Sequence, residues 1–216
     1  MPLVIGIGAG LGISQYAKRQ VIELTPAEIA LLDVNDVPGF DRKATTFWSP
    51  SADKWSVAST SLTMATPLIL LADEEIRKDY QTLFLLSAET FLLTEMLTGI
   101  TKAATKRSRP YLHNPAVNFD ENLVLDRDAR FSMFSRHTAQ ASAFTFLTAK
   151  IYSDHHPDSK LKPWIWTAAV VLPAVTGYLR YRSGENYPSD IITGYVVGAG
   201  IGLLIPTIHK KRNKTK

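Results

Sequence analysis

Three short stretches of the sequence hold the polar residues best suited to act on an anionic substrate. They cover residues 102–110, 134–138 and 178–190, and each lies where an apolar segment meets a polar loop. Transfer of a phosphate group requires cations around its oxygens, and arginine contacts such oxygens through two parallel hydrogen bonds. Together the three stretches predict a phosphate site.

Four side chains in these stretches suit phosphate binding. Arg109 and Arg180 can each contact two phosphate oxygens, whereas Lys102 can add a compact positive charge. Ser135 can donate its hydroxyl, and the backbone amides of the helix predicted to start after it point toward an anion. No single pair is specific, because lysine-rich loops are usually only solvated. The prediction depends on the order and spacing of all three stretches.

The histidines differ in how well they fit this chemistry. His137 follows Arg136 at a predicted helix start, where it could protonate a leaving alkoxide, although most such histidines have no catalytic role. His113 is a weaker alternative, because nothing in its spacing supports a role. His155 and His156 are adjacent, but no third metal ligand is evident near them. We therefore predict a site without a metal or other cofactor.

The apolar residues occur in blocks separated by short charged loops, which predicts an all-α bundle of about six helices in a membrane. An N-terminal run covers residues 2–17, and further blocks cover residues 56–72, 82–101, 138–152, 163–179 and 191–208. Gly194, Gly198 and Gly202 recur at the four-residue spacing of packed membrane helices. A soluble bundle is the alternative, because several blocks are shorter than the ~17–25 residues of a membrane span.

The composition fits a single domain over residues 1–216. The core that carries the three stretches covers about residues 56–208, and a basic tail covers residues 209–216. The sequence has no cysteine, which excludes disulfides and thiolate metal sites. Its net charge of +4 does not indicate a nucleic-acid partner, because no basic helix is interleaved with exposed aromatic residues.

The distribution of basic residues predicts which side of the membrane carries the site. The tail has five basic residues directly after the last block, which places it in the cytoplasm. Counting back through the helices places all three polar stretches on the opposite, outer side. Four basic residues at positions 102–109 then oppose the positive-inside tendency, and phosphate binding would account for the exception.

The first two stretches resemble motifs of the type 2 phosphatidic acid phosphatases, the PAP2 family, which shares its site with vanadium haloperoxidases. The family motif K-x6-RP is matched by Lys102, Arg109 and Pro110. The motif PSGH reads FSRH at residues 134–137, so that its serine and histidine are kept and its proline and glycine are not. The resemblance covers roughly residues 56–208.

The third stretch resembles the family motif SR-x5-H-x3-D, with two departures. Arg180 and Asp190 match, whereas Leu179 replaces the serine and Asn186 replaces the histidine. In the family, that histidine is the nucleophile that forms a phosphohistidine, and the aspartate orients it. Asp190 would then have no histidine to orient, because an amide cannot form the phosphoenzyme.

The resemblance implies phosphate binding by Lys102, Arg109, Ser135 and Arg180, with His137 as the acid. One hypothesis is a phosphatase for a lipid phosphate or diphosphate, a multi-pass protein of a bacterial inner membrane whose site faces away from the cytoplasm. It would need no metal, and we expect no haloperoxidase activity.

The alternative hypothesis is a catalytically silent member of the family that binds a phosphorylated headgroup or a partner protein. Asn186 favours this hypothesis, because it stands at the nucleophile's position. Arg136 also favours it, because its bulk, with a possible fourth cation, replaces the motif's glycine.

Overall fold

The computed structural model of the chain describes residues 2–117 and 127–214. In these two ranges all regular structure is helical, and six helices have 15 residues or more. These helices are α1 (Pro2–Arg19), α2 (Pro50–Met64), α3 (Tyr80–Thr105), α4 (Arg136–His155), α5 (Lys162–Arg182) and α6 (Pro188–Lys214). The all-α fold with about six helices is confirmed.

Several helices begin at residues that cap them. Ser49 accepts a hydrogen bond from the Ala52 amide at the start of α2, and Pro50 takes the first helical position. Ser135 caps α4 in the same manner. Thr25 and Glu28 form the reciprocal hydrogen bonds of a capping box on the short helix Pro26–Ala30.

Helix α4 lies at the centre of the bundle, in contact with α2, α3, α5 and α6. Its closest neighbour is α6, which contacts it along Gly194, Gly198 and Gly202. A Cβ atom at any of the three would lie within 2.6 Å of a backbone oxygen of α4, namely those of Ser135, Ala139 and Ala143. The predicted small-residue seam is therefore a close helix–helix contact that only glycine permits.

Three helical segments are long and apolar enough to cross a membrane: Pro50–Ala72, Tyr80–His113 and Pro188–Lys210. The protein is therefore a membrane protein, as its apolar blocks predict. α1 is not among these segments. α4 is not among them either, and its many serine, threonine and alanine residues are largely buried against its neighbours rather than facing lipid.

Two glutamates inside α3 have partners, as expected for charges within a membrane helix. Glu89 lies 2.7 Å from His209 Nε2 of α6, and the Glu95 carboxylate accepts a hydrogen bond from Gln140 of α4 at 3.0 Å. The last helix differs from the prediction, because it continues beyond residue 208 to Lys214. Basic residues favour the C-terminal end of a helix because of the helix dipole, so the tail does not interrupt α6.

Candidate functional site

The three polar stretches meet at one end of the bundle around a cavity of about 270 Å³. The ends of α3 and α5, the starts of α2 and α4, and two connecting segments supply its walls. The lining residues are Asp53, Val57, Lys102, Arg109, Asp128, Arg136, His137, Arg180, Glu185 and Asn186. The structure thus brings six of the eight predicted site residues together, and Ser135 and Asp190 are outside this set.

Tight turns after α3 and α5 direct residues of the first and third stretches into the cavity. Lys106 ends α3 in a left-handed conformation with φ of 47°, so the chain reverses before Arg109. Gly184 follows α5 with φ of 77°, and a Cβ there would lie 2.2 Å from the Phe47 carbonyl oxygen. Glycine is therefore required at this turn. The turn brings Asn186 back beside the end of α5, where its backbone amide donates to the Arg180 carbonyl oxygen.

The two arginines are buried and bonded to acidic residues. Arg180 is 3% exposed, and its guanidinium pairs with the carboxylates of Asp53 and of Glu185, the latter at 3.1 Å. Arg109 is 4% exposed and pairs with the carboxylates of Asp128 and Glu185. Glu185 therefore bridges the two arginines.

The other cations occupy different parts of the wall. Lys102 is buried, and its ammonium donates to the backbone oxygen of Phe131. Arg136 is half exposed and lies 3.8 Å from the Glu95 carboxylate. His137 also lines the cavity, from the first turn of α4. The cavity thus has two buried arginines, one buried lysine and one arginine that reaches solvent.

Sequence reasoning identified the cations of the cavity but missed its three carboxylates, Asp53, Asp128 and Glu185. Glu185 directly precedes Asn186 and so lies within the third stretch, which is a signal that could have identified it. Asp53 and Asp128 lie far from the motifs in the sequence. Burial raises the pKa of Asp128, but Arg109 and Lys102 outweigh burial and hold that pKa below its ordinary value, which keeps the carboxylate ionised.

Asn186 is 1% exposed, and each polar atom of its amide is hydrogen-bonded. Its Oδ1 accepts from Arg180 Nε at 3.1 Å, and its Nδ2 donates to the Ser132 carbonyl oxygen at 2.7 Å. The side chain therefore fits its surroundings as an amide, with one donor and one acceptor contact.

Asp190 is fully buried and is bonded from several directions. Its Oδ2 accepts from the Ser132 hydroxyl at 2.5 Å and from the Tyr187 amide at 2.9 Å. Its Oδ1 lies 2.6 Å from Arg107, which also binds Asp41 at 2.8 Å. Among the described residues no hydrogen bond joins Asp190 to the Asn186 side chain, and Arg107 is its charged partner.

Ser135 and His113 are outside the cavity lining. The Ser135 hydroxyl caps α4, where it accepts from the Thr138 amide at 3.4 Å and lies 2.9 Å from the Thr138 hydroxyl. Its phosphate-binding role stays a prediction. His113 Nε2 lies 3.2 Å from the Ser108 hydroxyl.

The adjacent histidines lie near the other end of the bundle. His156 Nε2 is 2.8 Å from the Asp73 carboxylate, and His155 Nδ1 is 2.9 Å from the Ile151 carbonyl oxygen. No group of three potential metal ligands occurs within the described ranges.

Comparisons with known proteins agree with this fold. A crystal structure described as the first transmembrane PAP2 type phosphatidylglycerolphosphate phosphatase from Bacillus subtilis has a similar fold. The TM-score is 0.58 at 19% sequence identity, over 95% of this chain and 96% of that chain. No curated protein sequence matches the chain significantly. The family model of the PAP2 superfamily matches residues 83–214, more than half of the sequence. The protein therefore belongs to the PAP2 superfamily.

Proposed function

We propose that the protein binds a phosphorylated lipid headgroup in the cavity without cleaving it through a phosphohistidine. The observation that carries this proposal is Asn186, an amide at the position where the family motif has its nucleophilic histidine. Both of its polar atoms are bonded, to Arg180 and to Ser132. An amide is not basic and cannot accept the phosphoryl group.

Phosphate binding is supported by the cations that the family motifs and the cavity share. Arg109, Arg180 and Lys102 all line the cavity, and all three are buried. Each arginine already holds carboxylate oxygens, which phosphate oxygens can replace in the same charge-assisted geometry. These side chains supply the positive charge, so the proposed binding requires no metal.

The lipid character of the ligand is inferred from the location of the site. The cavity lies at the ends of segments that are able to cross a membrane, on the side that we propose faces away from the cytoplasm. The similar crystal structure is described as a phosphatase for a phosphorylated lipid. A lipid phosphate at the membrane surface could present its headgroup to the cavity while its chains stay in the bilayer.

Hydrolysis of a lipid phosphate or diphosphate is the second candidate function. It is favoured by His137, which lines the same cavity as the cations and could still act as an acid toward a leaving alkoxide. This candidate needs a nucleophile other than residue 186, such as water.

The test measures both binding and turnover with purified protein in detergent. Phosphate release from phosphatidate and from undecaprenyl diphosphate is compared for the unmodified chain, Asn186→His and Asn186→Gln. Asn186→Gln is the matched control, because it changes the size of the side chain but keeps an amide. Loss of a nucleophile typically lowers the rate by about 10⁴–10⁶. We therefore expect binding by all three proteins and measurable release only by Asn186→His.

Two results would change the proposal. Rapid release by the unmodified chain, at a rate similar to that of Asn186→His, would favour the hydrolase. If phosphatidate bound to none of the three proteins, the headgroup-binding function would be wrong.

A further inference from the structure

The Glu185 carboxylate occupies the position between the two phosphate-binding arginines. Its Oε2 lies 3.1 Å from Arg180 Nη2, and the same oxygen also pairs with Arg109 Nη1. A phosphate oxygen bound by both guanidinium groups would need this place. The protein thus supplies its own anion at the centre of the proposed phosphate site.

The outer sides of the arginines are held by further carboxylates. Asp53 pairs with Arg180, and Asp128 pairs with Arg109. A phosphate that binds both arginines must displace Glu185 and weaken these two pairs. Carboxylates left without a positive partner in a cavity are costly, so a ligand that compensates them is favoured.

The charges of the cavity show what such a ligand must bring. The lining includes four cations and three carboxylates, which leaves one positive charge when His137 is neutral. A dianionic phosphate monoester would leave an excess negative charge. The same ester with its own ammonium group would leave the cavity neutral, and the ammonium has three donors for carboxylate oxygens.

We propose that the cavity selects phosphate monoesters that carry an ammonium group close to the phosphate, as in O-phosphoethanolamine. The phosphate contacts Arg109 and Arg180, and the ammonium contacts the displaced Glu185 and Asp53, which pair with the same guanidinium of Arg180. This inference rests on the proposed headgroup-binding function and names its ligand class. The cavity of about 270 Å³ corresponds to roughly nine liquid water volumes, enough for the eight non-hydrogen atoms of phosphoethanolamine.

Two soluble probes that differ only in the ammonium group test the proposal. O-phosphoethanolamine and ethyl phosphate share the phosphate and the two-carbon chain. Calorimetric titration of the detergent-solubilised chain measures both dissociation constants at neutral pH. Charge-assisted hydrogen bonds to the ammonium should make O-phosphoethanolamine bind about tenfold more tightly.

Variants of the carboxylates connect this preference to particular residues. Glu185→Gln removes the charge that ethyl phosphate has to displace, so ethyl phosphate should bind more tightly and the ratio should fall to about threefold or less. Asp53→Asn should independently lower the same ratio of affinities, at a more exposed side chain. Glu28→Gln is the matched control. Glu28 pairs with Arg130 at a distance of 2.7 Å, and neither residue lines the cavity. This control variant should keep the tenfold ratio.

The possible outcomes separate this inference from the proposed function. Equal binding of the two esters by the unmodified chain would overturn the ammonium preference and leave headgroup binding intact. An unchanged ratio in both Glu185→Gln and Asp53→Asn would overturn the assignment to these carboxylates. Binding of neither ester would contradict the proposed function and this inference together.

Discussion

The two halves of the candidate site differ in what their polar groups contact. In the cationic half, Lys102, Arg109 and Arg180 line the cavity, and their acidic partners line it as well. In the other half, Asn186 also lines the cavity and accepts from Arg180, whereas Asp190 lies outside the lining. Asn186 donates to the Ser132 backbone, and Asp190 holds the Ser132 hydroxyl.

This difference supports the proposal that the site binds a phosphate without cleaving it. A buried polar group needs a partner, and in the second half the protein itself provides one for each group. Arg107 is the charged partner of Asp190. The cationic half presents positively charged groups to the cavity, whereas Asp190 in the second half is bonded inside the protein.

The largest effect is expected from Asp190→Asn, which tests the second half. Removing one partner of a buried ion pair typically costs about 3–5 kcal/mol, and Asp190 is fully buried against Arg107. We expect a loss of this size in the free energy of unfolding, measured by denaturant titration in detergent.

A surface carboxylate provides the control for this variant. Asp154→Asn breaks a partly exposed pair with Lys150, for which we expect a loss of less than about 1 kcal/mol. Unchanged stability of Asp190→Asn with loss of phosphate affinity would instead place Asp190 in the binding half.

The cationic half is tested by Arg109→Ala and Arg109→Lys. Removing one partner of a buried charged contact costs about 2–5 kcal/mol, so Arg109→Ala should weaken inorganic phosphate binding at least about 30-fold. Arg109→Lys keeps the charge but loses the two-point contact, and we expect an intermediate loss. Calorimetry measures both, with Arg130→Ala as the control, because Arg130 lies outside the cavity lining. Wild-type affinity of Arg109→Ala would remove this arginine from the binding half.

A third prediction asks whether Arg107 prevents Asp190 from orienting a histidine. The double variant Asn186→His/Arg107→Gln should release phosphate from phosphatidate about tenfold faster than Asn186→His, because positioning contacts typically change activity 10–100-fold. Arg182→Gln in the same background is the control, since Arg182 stacks on Phe47 outside the cavity lining. Equal rates for the double variant and Asn186→His would mean that Arg107 does not limit Asp190.

The smallest effect concerns the pH dependence of stability at Asp41, whose carboxylate pairs with Arg107. Burial raises the pKa of Asp41, but hydrogen bonds from Ser189 and Arg107 outweigh burial and hold this pKa below its usual value. A lowered carboxyl pKa contributes stability above the ordinary value near 4 that is lost as the pH falls through the folded-state pKa. The unmodified chain should therefore melt a few degrees above Asp41→Asn at pH 6, and the gap should close below about pH 3. A gap that persists at low pH would mean that the charge of Asp41 is not its source.

The sequence by itself determined the helical fold and the composition of the cationic half. The apolar blocks and the spacing of Gly194, Gly198 and Gly202 are local patterns, and each one was found in the expected helix or contact. The motif spacing likewise identified Lys102, Arg109 and Arg180. Each lies at or near the end of a helix, and these helix ends meet at the same end of the bundle.

Only the tertiary structure decided how the charges are paired. Asp53 lies 127 positions from Arg180 in the sequence, and Asp190 lies 83 positions from Arg107, so no local pattern could connect them. The two bonds of Asn186 also became visible only after the helices were packed. The choice of partner for a buried polar group depends on which distant segments are brought within hydrogen-bond distance, and packing alone determines that.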